Sequence, residues 1–527
     1  MATYTTKPPD KSQAPTGPMP SEGGTKNRIY QAFKPVVVLD EISLAAQEKQ
    51  GPDHDEDNTF AIEYPIVKIN DYVFSKDELD SLVIDAKGFL PTIQVSVTLT
   101  NELFLSKELP KDGDIISIAI RNKNDLINLI RNDYVITGTS MQSKTTLGRA
   151  PVNLIFFGEL FVPGLKSGAH QFGIVGTSMD FYKAIAQYLQ LGFSTNEQQT
   201  DDRQSWLVYQ TPFEIFKETI TKVWKDPNSF FDVWIDLYYN LNFVNINAQL
   251  LSSEDDVDLA ALMSNVNNTF VWGSKTKQED TVATPKVFSN FIGARNTSFY
   301  IMNWKPINKS TAITFDYGTS IHTVLFEHNQ ILYDQDEQKE WALEISPVYD
   351  ENKLNKYILL RGRSKWDSST NKNELAQANY SYTDLYKKNV WMGIQYTASN
   401  TNEAHDQWNG NHHKNYLRAY SHNVINMREL DKLNVEISVQ GTNLNIMKGD
   451  KLPIVLIKKD VVENRLVHKD SYREAVDFFY SGYYIVKGST LSYVNDLNNA
   501  TGMVNFSQVF ILTRREWPTP VPIEPRK

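Results

Sequence analysis

Residues able to do chemistry are sparse in this chain and gather in few places. His405-Asp406 and His412-His413 fall within SNTNEAHDQWNGNHHKNY, where imidazoles and a carboxylate on one loop offer donors of the kind that hold zinc or nickel. Their spacing follows no established ligand pattern, so a solvated polar loop that carries histidines is the simpler reading. Glu254-Asp255-Asp256 with Asp258 offers oxygen donors for calcium. The same carboxylates stand where a helix begins, and there they offset the macrodipole without any ion. Paired carboxylates for glycoside hydrolysis are available among 63 acidic residues, but their separation is set by the fold and nothing selects a pair. Trp391 and Trp408 lie near polar loops and could stack on sugars, although tryptophans more often serve cores and interfaces.

Other chemistries lack their signatures. There is no P-loop, GxGxxG, GxSxG or HExxH. The absence of cysteine removes disulfides, thiolate nucleophiles and Cys-ligated zinc together. The expectation is therefore a protein with no catalytic residue, no cofactor, no metal and no enzymatic activity. Lys and Arg number 53 against 63 Asp and Glu, a net charge of -10, with no basic run. That balance argues against a surface that grips nucleic acid or an anionic membrane, because both need clustered cations. No stretch approaches the roughly 20 apolar residues of a membrane span. The N-terminal residues contain no apolar core of a signal peptide, so neither a membrane-spanning segment nor an export signal is expected.

If function is not a pocket of titratable groups, it rests on the elements. At 527 residues the chain is too long for one core. Residues 1–58 are rich in Pro, Gly, Ser and Lys around one apolar island, VVVLDEISLAA, and read as a largely extended or disordered arm that could add a strand to a neighbour. Residues 59–170 alternate with period two through YPIVKIN, TIQVSVTLT, DIISIAI, YVITGT and NLIFFGELFV, the pattern of a barrel or sandwich. Residues 171–251 predict a helical domain. Ser178 caps a helix with Phe181, Ile185, Tyr188 and Leu189 on one face and Gly192 as its stop. Thr211-Pro212-Phe213-Glu214 is a capping box that opens a helix through Phe216, Ile220 and Trp224, and FFDVWIDLYYNLNFVNIN begins helical and ends as a strand. Residues 252–415 read as a β-rich insertion, 416–517 as a second barrel, and 518–527 as a proline-rich tail.

One pattern occurs twice. Near the start, VSVTLTN from Val95, KDGDIISIAI from Lys111 and YVITGTSM from Tyr134 follow one another. Near the end come VEISVQGTN from Val435, MKGDKLPIVLI from Met447 and YYIVKGSTL from Tyr483. Gly113-Asp114 lies over Gly449-Asp450, and Gly138 over Gly488. Gly supplies the positive φ of a tight turn and Asp bonds the local backbone, so these residues are expected to set strand register. A chain that builds one β unit twice can supply in one subunit what would otherwise take two.

The order of KDGD turn, SMDFYKAIAQYLQLGF, TPFEIFKETI, a second barrel with MKGD and SGYYIVKGSTLSY, and a closing FILTRREW resembles the baseplate hub family of contractile-tailed bacteriophages. That family includes the late-control protein D and underlies the upper part of type VI secretion spikes. The resemblance runs from about Phe60 to Trp517 and is strongest at the two ends. It implies an α+β, β-rich fold with two homologous tube-like β-barrels separated by a helical domain and a β-rich insertion. It also implies a homotrimeric ring in the virion baseplate, assembled in the host cytoplasm, that joins a sixfold tail tube to a threefold spike. The implied partners are tail tube or tube-initiator proteins, the central spike, baseplate wedge proteins and genomic DNA that passes without specific binding. The alternatives are a glycan-binding or glycan-hydrolysing tail-tip protein of β-rich build, and a tip protein of a non-contractile tail or secretion spike.

Overall fold

The structure, a computed structural model, describes residues 29–31, 65–70, 72–99, 110–111, 113–122, 125–143, 152–167, 172–208, 210–227, 229–251, 288–290, 300–308, 320–327, 341–345, 364–367, 372–375, 390–397, 413, 419, 422–423, 426–427, 430, 433–440, 442–444, 446–458, 477, 480–495 and 506–514. In chain order the first strands are β1 (Ile29–Gln31), β2 (Ile66–Ile69), β3 (Tyr72–Val73), β4 (Leu79–Asp85), β5 (Thr92–Leu99), β6 (Ile115–Asn122), β7 (Asp125–Ser143), β8 (Val152–Leu160) and β9 (Phe172–Gly176). Helix α1 (Ser178–Tyr188), β10 (Gly192–Thr195), β11 (Gln204–Val208), helix α2 (Pro212–Thr219), β12 (Phe231–Ile235), β13 (Asn240–Asn245) and helix α3 (Ile246–Leu251) follow. The later strands are β14 (Phe288–Ser289), β15 (Ile301–Asn308), β16 (Ser320–Glu327), β17 (Trp341–Ile345), β18 (Ser364–Asp367), β19 (Lys372–Leu375), β20 (Val390–Thr397), β21 (Leu433–Gln440), β22 (Lys451–Val455), β23 (Gly482–Val494) and β24 (Phe506–Arg514).

The chain is β-rich because its apolar residues alternate. Ile93, Val95, Val97 and Leu99 of β5 are buried, and so are Leu433, Val435, Ile437 and Val439 of β21. Each such side chain withdrawn from water contributes about 1.5–3 kcal/mol, and a slip of one residue would turn the whole set outward. Thirteen strands form one sheet in the order β15-β21-β24-β23-β4-β5-β8-β7-β6-β2-β3, with β22 against β23 and β14 against β22. The succession β4-β5-β8-β7-β6 is repeated by β15-β21-β24-β23-β22. Where the sequence predicts two separate barrels, β23 pairs antiparallel with β4 and carries the sheet from one repeat into the other. The second repeat also takes β14 and β15 from the segment read as an insertion. A separate sheet, β17-β16-β20, and the β18-β19 pair account for the rest of that segment's described strands.

Residues 171–251 are mixed rather than helical. β9 pairs with β11, and β10, β13 and β12 form a sheet that β1 extends through Ile29↔Thr195. The apolar island VVVLDEISLAA lies outside the described residues. Helix α1 is capped by Thr177, one residue before the expected Ser178, because Thr177 and Asp180 complete a reciprocal capping box. Ser178 is buried instead and its hydroxyl meets Thr200 at 3.0 Å. The helix ends at Tyr188 with Leu189 as its C-cap, and Gln190 takes a φ of 56°, before Gly192 is reached. Helix α2 opens with the Thr211–Glu214 capping box and Pro212 in its first turn. The segment from Phe230 begins as strand β12, not as a helix, and turns at Asp236. The Asp236 carboxylate accepts from the backbone N–H of Tyr238 and of Asn240, each at 2.9 Å, and so closes the hairpin to β13.

Candidate functional site

The two GD turns have the same geometry. Gly113 has a φ of 89° and Gly449 one of 88°, values that glycine adopts without a side-chain clash. The Asp114 carboxylate accepts from the Lys111 N–H at 2.8 Å, and the Asp450 carboxylate accepts from the Met447 N–H at 2.8 Å. Backbone bonds repeat as well. Ile136 N–H donates to Asp114 O and Val486 N–H to Asp450 O, both at 2.8 Å. The turns differ in burial, since Asp450 is buried and Asp114 is not. The Lys111 N–H, followed by the Asn70 amide at 3.1 Å, holds the Asp114 carboxyl below its usual 3.8.

A register shift lies just beyond each turn on the strand bonded to it, between Ile136 and Gly138 on β7 and between Val486 and Gly488 on β23. These bulges bend the strand and raise its twist. The two glycines meet different surroundings. A Cβ at Gly488 would lie 2.6 Å from the Lys87 Cα, whereas among the described residues one at Gly138 would meet only Phe157 at 3.8 Å. Gly488 therefore marks the joint, where Thr490↔Asp85 through Val494↔Ser81 pair β23 with β4. Ala86 N–H donates to Ser489 O at 2.8 Å at one end, and Asn495 N–H to Asp80 O at 2.7 Å at the other. Leu491 and Tyr493 of β23 enter the core built mainly by the first repeat.

A cavity of about 370 Å³ opens beside the joint. Phe89, Val233, Trp234 and Ile246 supply its apolar wall, and Gly449 brings a GD turn to its rim. Lys448 there pairs with Asp232 at 3.0 Å and lies 4.8 Å from the Trp234 ring centre. An ion pair over an indole can bind and pack. It is not a nucleophile with a base. Deeper in the chain Asp202 is buried and accepts from Ser178 N–H at 2.9 Å and Trp224 N–H at 3.0 Å. Burial pushes its carboxyl above the usual range, against those hydrogen bonds. This carboxylate ties the start of α1 to the loop that follows α2 and faces no cavity described above.

Most of the residues first considered for chemistry fall outside what the structure describes. His405, Asp406, His412, Trp408 and Glu254 through Asp258 lie outside the described residues. His413 is buried, and Trp391 stands opposite Ile321 in the β20–β16 ladder. Among the described residues no group of three or more His, Cys, Asp or Glu could hold a metal, and no helix is long and apolar enough to cross a membrane. Sequence reasoning missed the joint residues Lys87, Asp80 and Asn495, and also His422, whose Nε2 meets Ser229 O at 2.8 Å. Only the missing side chain at Gly488 hinted at a close neighbour.

No protein-family model matches the chain, and no curated protein matches it either. Among solved structures, the chain is similar in outline to a tail protein from Neisseria meningitidis MC58, at 9% identity over 85% of this chain and 96% of that one, with a TM-score of 0.42. A 43 kDa tail protein of prophage MuSo2 from Shewanella oneidensis gives 7% identity, 86% and 99% coverage and a TM-score of 0.45. An Escherichia coli component of the type VI secretion system, described as similar to the T4 bacteriophage tail proteins gp27 and gp5, gives 8% identity, 87% and 80% coverage and a TM-score of 0.37. Scores and identities this low describe outline alone.

Proposed function

We propose that the chain is a structural subunit of a tail baseplate: a hub that forms a trimeric ring, adapts a sixfold tail tube to a threefold spike and surrounds the path of the DNA. The observation that carries this reading is the recurrence of one turn, with one φ and one set of hydrogen bonds, in two strand successions of the same order. A subunit with two quasi-equivalent segments presents six of them when three copies surround an axis, which suits a sixfold partner on one side and a threefold one on the other. In this proposal Gly113, Asp114, Gly138, Gly449, Asp450 and Gly488 hold strand register, and the tube segments are 59–170 and 416–517, the second extended by β15. The order of motifs that resembles the hub family supports the same partners: tube or tube-initiator, spike and wedge proteins, in the virion. The net charge of -10 supports a lumen that repels DNA rather than binding it. The subunit needs no chemistry of its own for this work.

The test is assembly. Light scattering and negative-stain imaging of the purified chain, alone and with its spike partner, are expected to show rings of three. Monomers under both conditions would sink the proposal, and a basic lumen in a map of the ring would sink the part that concerns DNA.

A further inference from the structure

Within the chain the two repeats meet by one edge of β23 against one edge of β4. The repeat has a consequence at the opposite ends of the sheet. β7 corresponds to β23, since each crosses its bulge at the same glycine position and each pairs with the following long strand, Gly138 opposite Phe157 and Gly488 opposite Ile511. β15 corresponds to β4, since each pairs with the next strand of its repeat and each shows a register shift at its start, between Ile301 and Asn303 and between Leu79 and Ser81. On β23 the edge beyond β22 is covered by β4. On β7 the corresponding edge, residues 140–143, runs past the end of β6 with no partner strand on that side among the described residues. β15 pairs with β21, and Ser289 of β14 bridges to Tyr300 just before it; among the described residues no strand covers 303–307 on the edge that β4 offers to β23.

We infer that these two edges are complementary halves of one contact between copies of this chain: β15 of one copy pairs antiparallel with β7 of the next, in the register that β4 and β23 use within the chain. Carried across the repeat, Thr490↔Asp85 becomes Ser140 opposite Ile307, and Leu491↔Ile84 becomes Met141 opposite Pro306. The inference rests on the reading of the chain as a ring-forming subunit and names the surface by which the ring closes.

Three observations support a second copy as the occupant. Gly138 has no positive φ and no close neighbour among the described residues of its own chain, yet its counterpart Gly488 is required by the Lys87 backbone 2.6 Å away. A β15 strand that arrives as β4 does would bring its last residue, Asn308, to the place that Ala86 holds beside Gly488, where the Ala86 carbonyl lies 3.1 Å from an added Cβ. Each edge carries one exposed apolar side chain: Met141 is 64% exposed where its counterpart Leu491 is 4% exposed, and Met302 on β15 is 51% exposed. The edges differ from one another, so the contact is head-to-tail and either closes into a ring or continues as a filament. Pro306 adds selectivity. In the internal joint Ala86 and Ser489 form a hydrogen-bonded pair. By the alternation of antiparallel ladders the Ile84 position is also hydrogen-bonded, and Pro306 in that place has no N–H to give. The edge thereby resists pairing with an arbitrary strand, as prolines on edges do, and it makes the contact between copies weaker than the joint inside the chain.

The chain's lack of cysteine makes the test clean. Ser140 and Ile307 fall at a non-hydrogen-bonded pair, where Cα atoms approach to about 4.5 Å and a disulfide can form. Oxidation of the full chain carrying Ser140→Cys and Ile307→Cys is expected to give disulfide-linked species of two and three chains on a non-reducing gel, with none from either single variant. Gly138→Val is expected to raise the concentration needed for assembly about ten-fold or more while the monomer keeps its Tm. Trimers in light scattering without the disulfide would overturn the edge contact and leave the ring reading standing. Monomers throughout, with no disulfide, would overturn both. A disulfide from Ser140→Cys alone would overturn the head-to-tail geometry, and linked species that grow past three chains would keep the contact but overturn the closed trimer.

Discussion

Two carboxylates with opposite surroundings set the energetics at the residue scale. Asp114 is half-exposed and held by the Lys111 N–H, so its pKa is lowered and its contribution to stability is present above 3.8 and lost as the pH falls through the folded value. Asp202 is buried and its pKa is raised, so its contribution is present below 3.8 and lost as the pH rises through the folded value. Urea titrations should therefore show opposite trends. The advantage of the native chain over Asp114→Asn is expected to shrink as the medium is acidified from pH 5 to pH 3, and to be small throughout because solvent screens the site. The advantage over Asp202→Asn is expected to shrink as the pH is raised over the acid range. Parallel trends would contradict the assignment of burial as the cause at Asp202. The turn residue was legible from its Gly-Asp spelling. The buried one was not, because its donors come from Ser178 and Trp224, on either side of it in the chain.

Elements were legible where their signals are local. The capping box at Thr211 and the alternation of β5 and β21 follow from neighbours within a few residues. Phe231–Ile235 was misread because a short apolar run fits either period, and it becomes a strand through its pairing with β13, closed by the Asp236 turn. The β23–β4 joint is an element-scale feature with a direct test. Gly488→Ala would place a Cβ 2.6 Å from the Lys87 Cα, and because that neighbour is backbone the strand must shift. Thermal unfolding of this variant is expected to report a loss of about 1–3 kcal/mol, the usual cost of overpacking, while Gly138→Ala is expected to leave the isolated chain unchanged. Equal losses at the two glycines would mean that the joint is not what requires Gly488.

For the whole molecule, one sheet and shared cores predict cooperative unfolding of two repeats that lie far apart in the chain. Leu491, Tyr493 and Phe506 pack into the core of the first repeat, and the Tyr238 hydroxyl donates to Leu444 O at 3.1 Å across 206 residues of sequence. Calorimetry is expected to show the two repeats melting in one endotherm, and two well-separated endotherms would count against a joint of this strength. By itself the sequence determined the β-rich class, the duplication and the chemistry of its turns, since alternation, glycine and aspartate act on their own neighbours. Only the tertiary structure decided that the repeats share one sheet, that β15 belongs to the second of them, and that residues 171–251 are mixed. Those outcomes depend on which strand edges meet across hundreds of residues, and the pairing of an edge is a property of two strands at once. The Gly-Asp turns announce that a unit is repeated; the hydrogen bonds between Ser489 and Ala86 and between Asn495 and Asp80 decide how the two units are joined.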